Sequence, residues 1–278
     1  MGLHLALAAI AFSSLLTLHA QEAAHSSSRE EVPVGGRVIK LPAPVGYERI
    51  DGLNPESDRM VEEMLPATNR YLARFHPPKN DQPDMGRSFN AQVLRKVESQ
   101  EIGERTFGDI KQQTKAEIEK SQESIRQDIS KISGRAEKAF QKATDADAAL
   151  SLSDVAILGC FDDSANSLGF TMALNIAAKA GTQSTKNKVV VSSMIVPVNG
   201  RLIYLNANAD FHSEADRAWA EKAVTSWRDA VVAANPRVEG PSAGGLDFTR
   251  IGRSGVIGAV IGGVVALVAM LLKKKKQA

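Results

Sequence analysis

The sequence has 278 residues, of which 43% are hydrophobic and 24% charged, and its formal net charge is +2. This length suits one ordinary domain with additional segments at its ends, and the single cysteine excludes an internal disulfide. Four of the positive charges stand together (Lys273, Lys274, Lys275 and Lys276), and removing these 4 from +2 leaves −2 for the rest of the chain, which excludes the basic surface of a typical nucleic-acid binder.

The first 20 residues predict a secretory signal peptide. They contain a short apolar run and no acidic side chain, and Ala20 precedes the polar stretch QEAAHSSSREE. Such a run followed by a small residue is typical of a cleaved signal. We therefore expect cleavage after residues 1–20, with an uncleaved anchor as the alternative, and a polar leader over residues 21–36.

The globular part opens with RVIKLPAPVGYERI, residues 37–50. Pro42, Pro44 and Gly46 interrupt this β-like run, so it predicts a strand, a turn and a second strand. A short helix should follow, because Asn54 is a favourable N-cap and Pro55 suits the first helical position.

Two strands and a long helix come next. The strands are predicted over residues 69–75 and 88–98, and Thr106 with Asp109 has the spacing of a capping box that would begin the helix.

The long helix is amphipathic, with its apolar positions spaced for one face: Ile118, Ile125, Ile129, Ile132, Ala136, Ala139 and Ala143. The pattern predicts either one helix or two with a break at Gly134. It also leaves open whether this helix packs on the protein's own sheet or forms a coiled coil with a partner.

Four further strands are predicted: one over residues 155–161, one over residues 168–177, and two that form a hairpin within residues 189–210. Asn199 and Gly200 are the residues that a type I′ turn requires, since both central positions take positive φ. Pairing outward from this turn places Val196 opposite Ile203 and Met194 opposite Leu205 on one face. The other face then carries Tyr204, Asn206, Asn208 and Asp210. Pro197 would face Leu202, where the ladder reaches an edge or stops.

The last element of the domain is a helix that begins at Ser213, with Asp216 completing a capping box, and ends at Asn235. Its predicted buried stripe consists of Trp219, Ala223, Trp227, Val231 and Ala234.

The fold class predicted from these elements is α+β, an antiparallel sheet covered by the long helix and the C-terminal helix over residues 37–235. The order of elements, with LPAPVGYERI and NGRLIYLNANADFHSEADRAW as its best parts, resembles the PsbP-like and DcrB-like extracytoplasmic domains. The resemblance implies helices over an antiparallel sheet and carries over no functional residue.

A transmembrane helix is predicted over residues 254–272, which hold no charge and would span about 28 Å as a helix. A Gly- and Pro-rich stalk, residues 236–253, precedes it. The lysines of the tail, residues 273–278, favour a cytoplasmic C-terminus. The expected location is therefore a bacterial cytoplasmic membrane with the domain outside. The ending KKQA, which resembles a dilysine signal, leaves a eukaryotic endoplasmic reticulum membrane as the alternative.

Small residues line the predicted span. Gly258 and Gly262 form a GxxxG motif, and Gly255, Ala259 and Gly263 add a second row. Because small side chains let two helices approach closely, these residues predict pairing with a second copy or with another membrane protein. Ordinary span composition is the alternative.

Candidate catalytic residues lack the context that their chemistry needs. Gly240, Ser242 and Gly244 match a nucleophile elbow, but no strand precedes and no helix follows the serine. Cys160 could act as a nucleophile with His212 and Asp210. In an apolar strand, however, we expect this cysteine to be a small buried side chain.

Metal sites have equally little support. Asp162, Asp163 and Asn166 offer oxygen ligands but lack the spacing of a calcium loop, so a polar hairpin turn is the preferred interpretation. His25 and His76 are scattered, with no zinc-site spacing. We therefore assign no catalytic, metal or cofactor residue.

The sequence thus favours a membrane-anchored binding or assembly module of the bacterial envelope, more consistent with a non-enzyme. A membrane-tethered hydrolase or thiol enzyme is the alternative.

Overall fold

The computed structural model describes residues 30–78, 86–120, 122–143 and 147–237. Within them the chain forms nine strands: β1 (Glu31–Val34), β2 (Arg37–Lys40), β3 (Glu48–Arg49), β4 (Asn69–His76), β5 (Ser88–Leu94), β6 (Ala149–Ser164), β7 (Ser167–Ala180), β8 (Gln183–Val198) and β9 (Arg201–Asp210). The helices are α1 (Pro55–Met64), α2 (Glu104–Lys120), α3 (Gln122–Ala143) and α4 (Glu214–Ala234), with a short 3-10 turn at Arg95–Val97.

Seven strands form one antiparallel sheet in the order β3-β4-β5-β9-β8-β7-β6, and β1 pairs with β2 in a separate hairpin. The predicted α+β class with a large antiparallel sheet is therefore confirmed. The sheet lies between two layers. Residues of α1, α2 and α3 share a core with one face, and residues of α4 and the β1–β2 hairpin share a core with the other.

The β8–β9 hairpin has the predicted turn and register. Asn199 and Gly200 have φ of +44° and +74°, and Val196 pairs with Ile203 while Pro197 pairs with Leu202. On the other side of β8, the ladder with β7 ends at Ile195, before the proline. The missing proline N–H therefore costs the sheet no hydrogen bond.

Helix caps also follow the sequence. The Asn54 side chain accepts hydrogen bonds from the N–H groups of Glu56 and Ser57 at 3.1 Å, with Pro55 at the first helical position. At the start of α4, the Asp216 carboxylate accepts the Ser213 N–H at 2.9 Å, as a capping box requires. The buried residues of α4 are Ala220, Val224, Trp227 and Val231. Trp227 and Val231 are as predicted, whereas Trp219, Ala223 and Ala234 are only partly buried.

Three boundaries differ from the expectations. α2 begins at Glu104, because the Phe107 N–H already bonds to the Gly103 carbonyl at 2.9 Å, so Thr106 lies inside the helix. Gly134 lies within α3 and breaks nothing. β1 lies inside the segment assigned to the polar leader, because its alternate residues Val32 and Val34 are buried against the sheet.

The long helical region packs on its own sheet, as one of the two alternatives predicted. Ala136, Ala139 and Phe140 of α3 are buried in the same core as Leu150 and Leu152 of β6.

Among the helices of the described residues, none combines the length and hydropathy needed to cross a membrane. The predicted signal, stalk, span and lysine tail, with Gly255, Gly258, Ala259, Gly262 and Gly263, lie outside the described residues.

An ion-pair cluster holds the β8–β9 turn against two neighbouring segments. Glu101 pairs with Arg37 at 2.8 Å and with Arg201 at 2.9 Å. The Ile102 N–H donates to the Gly200 carbonyl at 2.9 Å. A side chain added at Gly200 would lie 2.1 Å from the Glu101 carboxylate, so glycine is needed here for space as well as for its positive φ.

We expect Gly200→Ala to destabilise the domain more than Gly46→Ala. Both positions have positive φ, at +74° and +81°, so both alanines incur a backbone cost of about 1 kcal/mol. Only Gly200 has a neighbour within contact distance, and displacing the paired Glu101 should add about 1 kcal/mol or more. Urea unfolding measures both. Equal losses would show that the Glu101 contact contributes nothing.

Candidate binding site

A group of polar side chains is buried in the middle of the sheet, on the face covered by α1, α2 and α3. We call it the polar cluster, and it consists of Arg74 of β4, Ser88, Asn90 and Gln92 of β5, Ser193 of β8, and Tyr204, Asn206 and Asn208 of β9. Each of these residues is less than a tenth exposed.

Strand register brings these side chains together. Asn90 lies opposite Arg74 on one side and opposite Asn206 on the other, and Asn206 lies opposite Ser193. These four residues form one row across four strands. Directly opposed side chains share a face and lie about 5 Å apart at Cβ. Tyr204, which belongs to the core beneath the helices, identifies the face.

Hydrogen bonds connect the amides of the row and fix their orientations. The Asn90 Oδ1 accepts from Gln92 Nε2 at 2.9 Å and from Asn206 Nδ2 at 2.8 Å. The Asn206 Oδ1 accepts from Ser193 Oγ at 2.6 Å. Because the Asn90 Oδ1 faces Gln92 and Asn206, the Nδ2 of the same amide points away from them, and it has no hydrogen-bond partner.

Four buried atoms of the polar cluster have no hydrogen-bond partner in the described structure. They are Arg74 Nη1, Asn90 Nδ2, Tyr204 Oη and Asn208 Oδ1. A fifth such atom is the hydroxyl of Thr114, on the buried face of α2 that also carries Ile110 and Ile118. Each unsatisfied polar group costs about 1–3 kcal/mol of folding free energy, so four on one face need an explanation.

Charge in the polar cluster is balanced. The guanidinium of Arg74 forms an ion pair with Asp58 of α1 through Nη2, which leaves Nη1 as the free donor. Burial raises the pKa of Tyr204 above its usual range. Burial also raises the pKa of the neighbouring Tyr71, although the charge of Arg74 opposes this shift. Both phenols therefore stay protonated and can donate hydrogen bonds.

The free atoms offer hydrogen bonding rather than covalent chemistry. Two are donors, one is an acceptor, and the Tyr204 hydroxyl can be either. Such a set fits an uncharged polar molecule that has both acceptors and donors, because a charged one would leave its charge uncompensated in a buried site. No group of metal-binding side chains occurs in the described part of the chain.

The thiol site considered from the sequence is not assembled. Cys160 is exposed on the edge strand β6, so the expected burial is wrong: an edge strand has a neighbour on one side only. The residue of β9 that lies in the same row across the sheet as Cys160 is Asn206. His212 lies three strands away and six residues farther along, a separation of more than about 20 Å. Asp210, the last residue of β9, accepts a hydrogen bond from Asn187 at 3.3 Å.

The hairpin carboxylates considered as metal ligands are occupied by cations of the protein itself. Asp163 lies 2.8 Å from Lys111 and 2.7 Å from Lys115, and these hydrogen bonds lower its pKa to about 2. Asp162 accepts a hydrogen bond from Ser167. A polar turn beside α2 therefore explains this segment. Of the other candidates, His76 ends β4, whereas His25, Gly240, Ser242 and Gly244 lie outside the described residues.

The sequence contained a signal for the polar cluster that motif searching does not detect. Polar residues alternate in SFNAQ of β5 and in LNANAD of β9, which reads as a solvent-exposed face. In the structure, helices cover this face. Alternating polar residues, which normally indicate a face exposed to solvent, are therefore part of a buried polar interior here.

Comparisons with known proteins identify no family. No family model and no curated protein matches the chain. Two similar solved structures are a mutant of the protein Mog1, with 11% identity over 74% of this chain and 91% of that chain and a TM-score of 0.29, and the Ran-binding protein Mog1p of Saccharomyces cerevisiae, with 10% identity over 72% and 88% and a TM-score of 0.28. These values are too low to carry an argument about fold or function.

We expect Tyr204→Phe to stabilise the protein. The change removes a buried hydroxyl that has no partner and keeps the ring, so the free energy of unfolding should rise by about 1 kcal/mol. Asn206→Leu is the control. It breaks two hydrogen bonds and should lower the free energy of unfolding by about 2 kcal/mol. Thermal and urea unfolding measure both. Similar losses from the two variants would mean that the Tyr204 hydroxyl has a partner.

Proposed function

We propose that the chain is a membrane-anchored extracytoplasmic binding module of the bacterial envelope and that the polar cluster is its ligand site. The observation that carries the proposal is the set of four buried polar atoms without partners on one face of the sheet. A ligand that bonds to these atoms would gain the free energy that their burial now costs.

The proposed location rests on the two ends of the sequence. A signal-like start, an uncharged run over residues 254–272 as a transmembrane helix, and the lysines after it agree with a domain outside the membrane. The resemblance to the PsbP-like and DcrB-like domains, which are extracytoplasmic, supports the same proposed location. Small residues of the span, including Gly258 and Gly262, would pair it with a second copy or another membrane protein.

Ligand entry requires movement of the helical layer. The free atoms of the polar cluster are closed to solvent, because α1, α2 and α3 cover this face. A ligand could therefore bind only after these helices move away from the sheet. In other proteins, too, the binding site opens to admit the ligand and then closes around it. The unpartnered atoms favour such opening, since water could satisfy them in the open state.

A thiol enzyme has less support than a binding module. The distance between Cys160 and His212 rules out direct proton transfer between them in this arrangement. Partial desolvation of the exposed residue's thiol also raises the pKa of Cys160, which disfavours the thiolate.

The binding proposal is tested by thermal unfolding of the full chain in detergent against single sugars, polyols, amides and amino acids. A ligand that binds only the folded state raises the melting temperature in a concentration-dependent way. We expect at least one uncharged polar compound to do so and Tyr204→Phe to reduce the shift. A shift that is unchanged in Tyr204→Phe and in Asn208→Leu would place binding elsewhere.

A further inference from the structure

Both ends of the described domain meet at Lys40. On one side, Lys40 pairs with Glu31, and the next residue, Leu41, donates its N–H to the Glu30 carbonyl at 2.8 Å. On the other side, the amide of Asn235 exchanges two hydrogen bonds with the Lys40 backbone, at 2.8 and 2.7 Å. The chain therefore enters and leaves the domain at the same place.

This place lies close to the proposed membrane anchor. Only residues 238–253 separate Arg237 from the uncharged run that begins at Ser254. Even a fully extended segment of that length reaches only about 55 Å. The surface around Lys40 would therefore be the part of the domain held nearest to the bilayer.

Exposed apolar side chains gather on the elements that surround this exit. In the described residues, four large apolar side chains are exposed: Val38 (54%), Val45 (100%), Leu53 (61%) and Val232 (40%). Val38 lies on the same face of β2 as Lys40, and Val232 lies in the last turn of α4. Leu53 is the exception, since it precedes α1 on the opposite layer.

Val45 is held in position rather than carried on a free loop. Its loop follows Lys40, and the Pro42 carbonyl accepts a 2.8 Å hydrogen bond from the indole of Trp227 in α4. The Tyr47 N–H closes the turn by donating to Pro44 at 3.0 Å. A fully exposed valine on a fixed turn has an apolar surface with no partner within the domain.

We propose that this surface, formed by Val38, Lys40, Val45 and Val232, lies on the outer face of the membrane that anchors the chain. The inference rests on the proposed function, because it needs the anchor. The valines enter the interfacial region of the bilayer, and Lys40 contacts anionic lipid headgroups. The domain then has a fixed orientation, with the opposite layer of α1, α2 and α3 directed away from the membrane and free to open.

The test uses the full chain with Cys160→Ser, reconstituted in phosphatidylcholine and phosphatidylglycerol vesicles. A nitroxide is attached to single cysteines in Val38→Cys, Val45→Cys or Leu53→Cys. Electron paramagnetic resonance measures collision with oxygen, which concentrates in lipid, and with a nickel chelate, which stays in water. We expect the oxygen-to-nickel ratio at Val38 and Val45 to be several times that at Leu53, the matched exposed control.

Two results would overturn the inference while leaving the anchor intact, and a third would show that the anchor itself is absent. Equal ratios at all three positions, in protein that remains with the vesicles, would leave the anchor intact but place this surface in water. Exclusion of both reagents at Val45 would indicate a protein partner, such as a second copy. Protein that does not remain with the vesicles would contradict the proposed function itself.

Discussion

The antiparallel pair of β8 and β9 is the element on which the rest of the structure depends. Residues of β9 contact β5 on one side and β8 on the other, so this hairpin joins the two halves of the sheet. Because both faces of the sheet are covered, the side chains of consecutive strand residues must pack in the cores on opposite faces. Val190 belongs to the core under α4, whereas Val189 and Val191 belong to the core under α1, α2 and α3. A shift in register by one residue would exchange these sets.

The same constraint explains why the polar cluster is costly. Asn206 and Asn208 alternate with apolar residues, as polar residues do on a strand with one solvent-exposed face, yet their face is buried. Their hydrogen bonds hold the amides in single orientations and leave the Asn90 Nδ2 and Asn208 Oδ1 without partners. Apolar side chains would pack here at lower cost. Retaining a costly polar interior is consistent with a binding role, because functional sites commonly reduce stability.

Local signals made much of the fold predictable. The Asn199 turn, the Asn54 cap and the capping box at Ser213 depend on residues within a few positions of each other, and each is present as predicted. What could not be predicted depends on distant segments. The exposure of Cys160 follows from the place of β6 at the sheet edge. The burial of Asn206 follows from helices contributed by residues more than 60 positions earlier. Single-sequence periodicity contains neither kind of information.

The proposed membrane anchor would connect the geometry of the domain with its proposed role. In that proposal, entry and exit at Lys40 direct one layer towards the membrane, and the layer over the polar cluster then points outward, to the side from which ligands would arrive. This arrangement needs the domain to lie outside the cytoplasm.

Cys160 allows the most direct measurement of that claim, because it is the single cysteine of the chain and is exposed. Spheroplasts are treated with a membrane-impermeant maleimide at slightly alkaline pH, since partial desolvation raises the pKa of this thiol. A domain outside the cytoplasm predicts the same labelling in intact spheroplasts as after lysis, and none in Cys160→Ser. Labelling that occurs only after lysis would place the domain in the cytoplasm and contradict the proposed location.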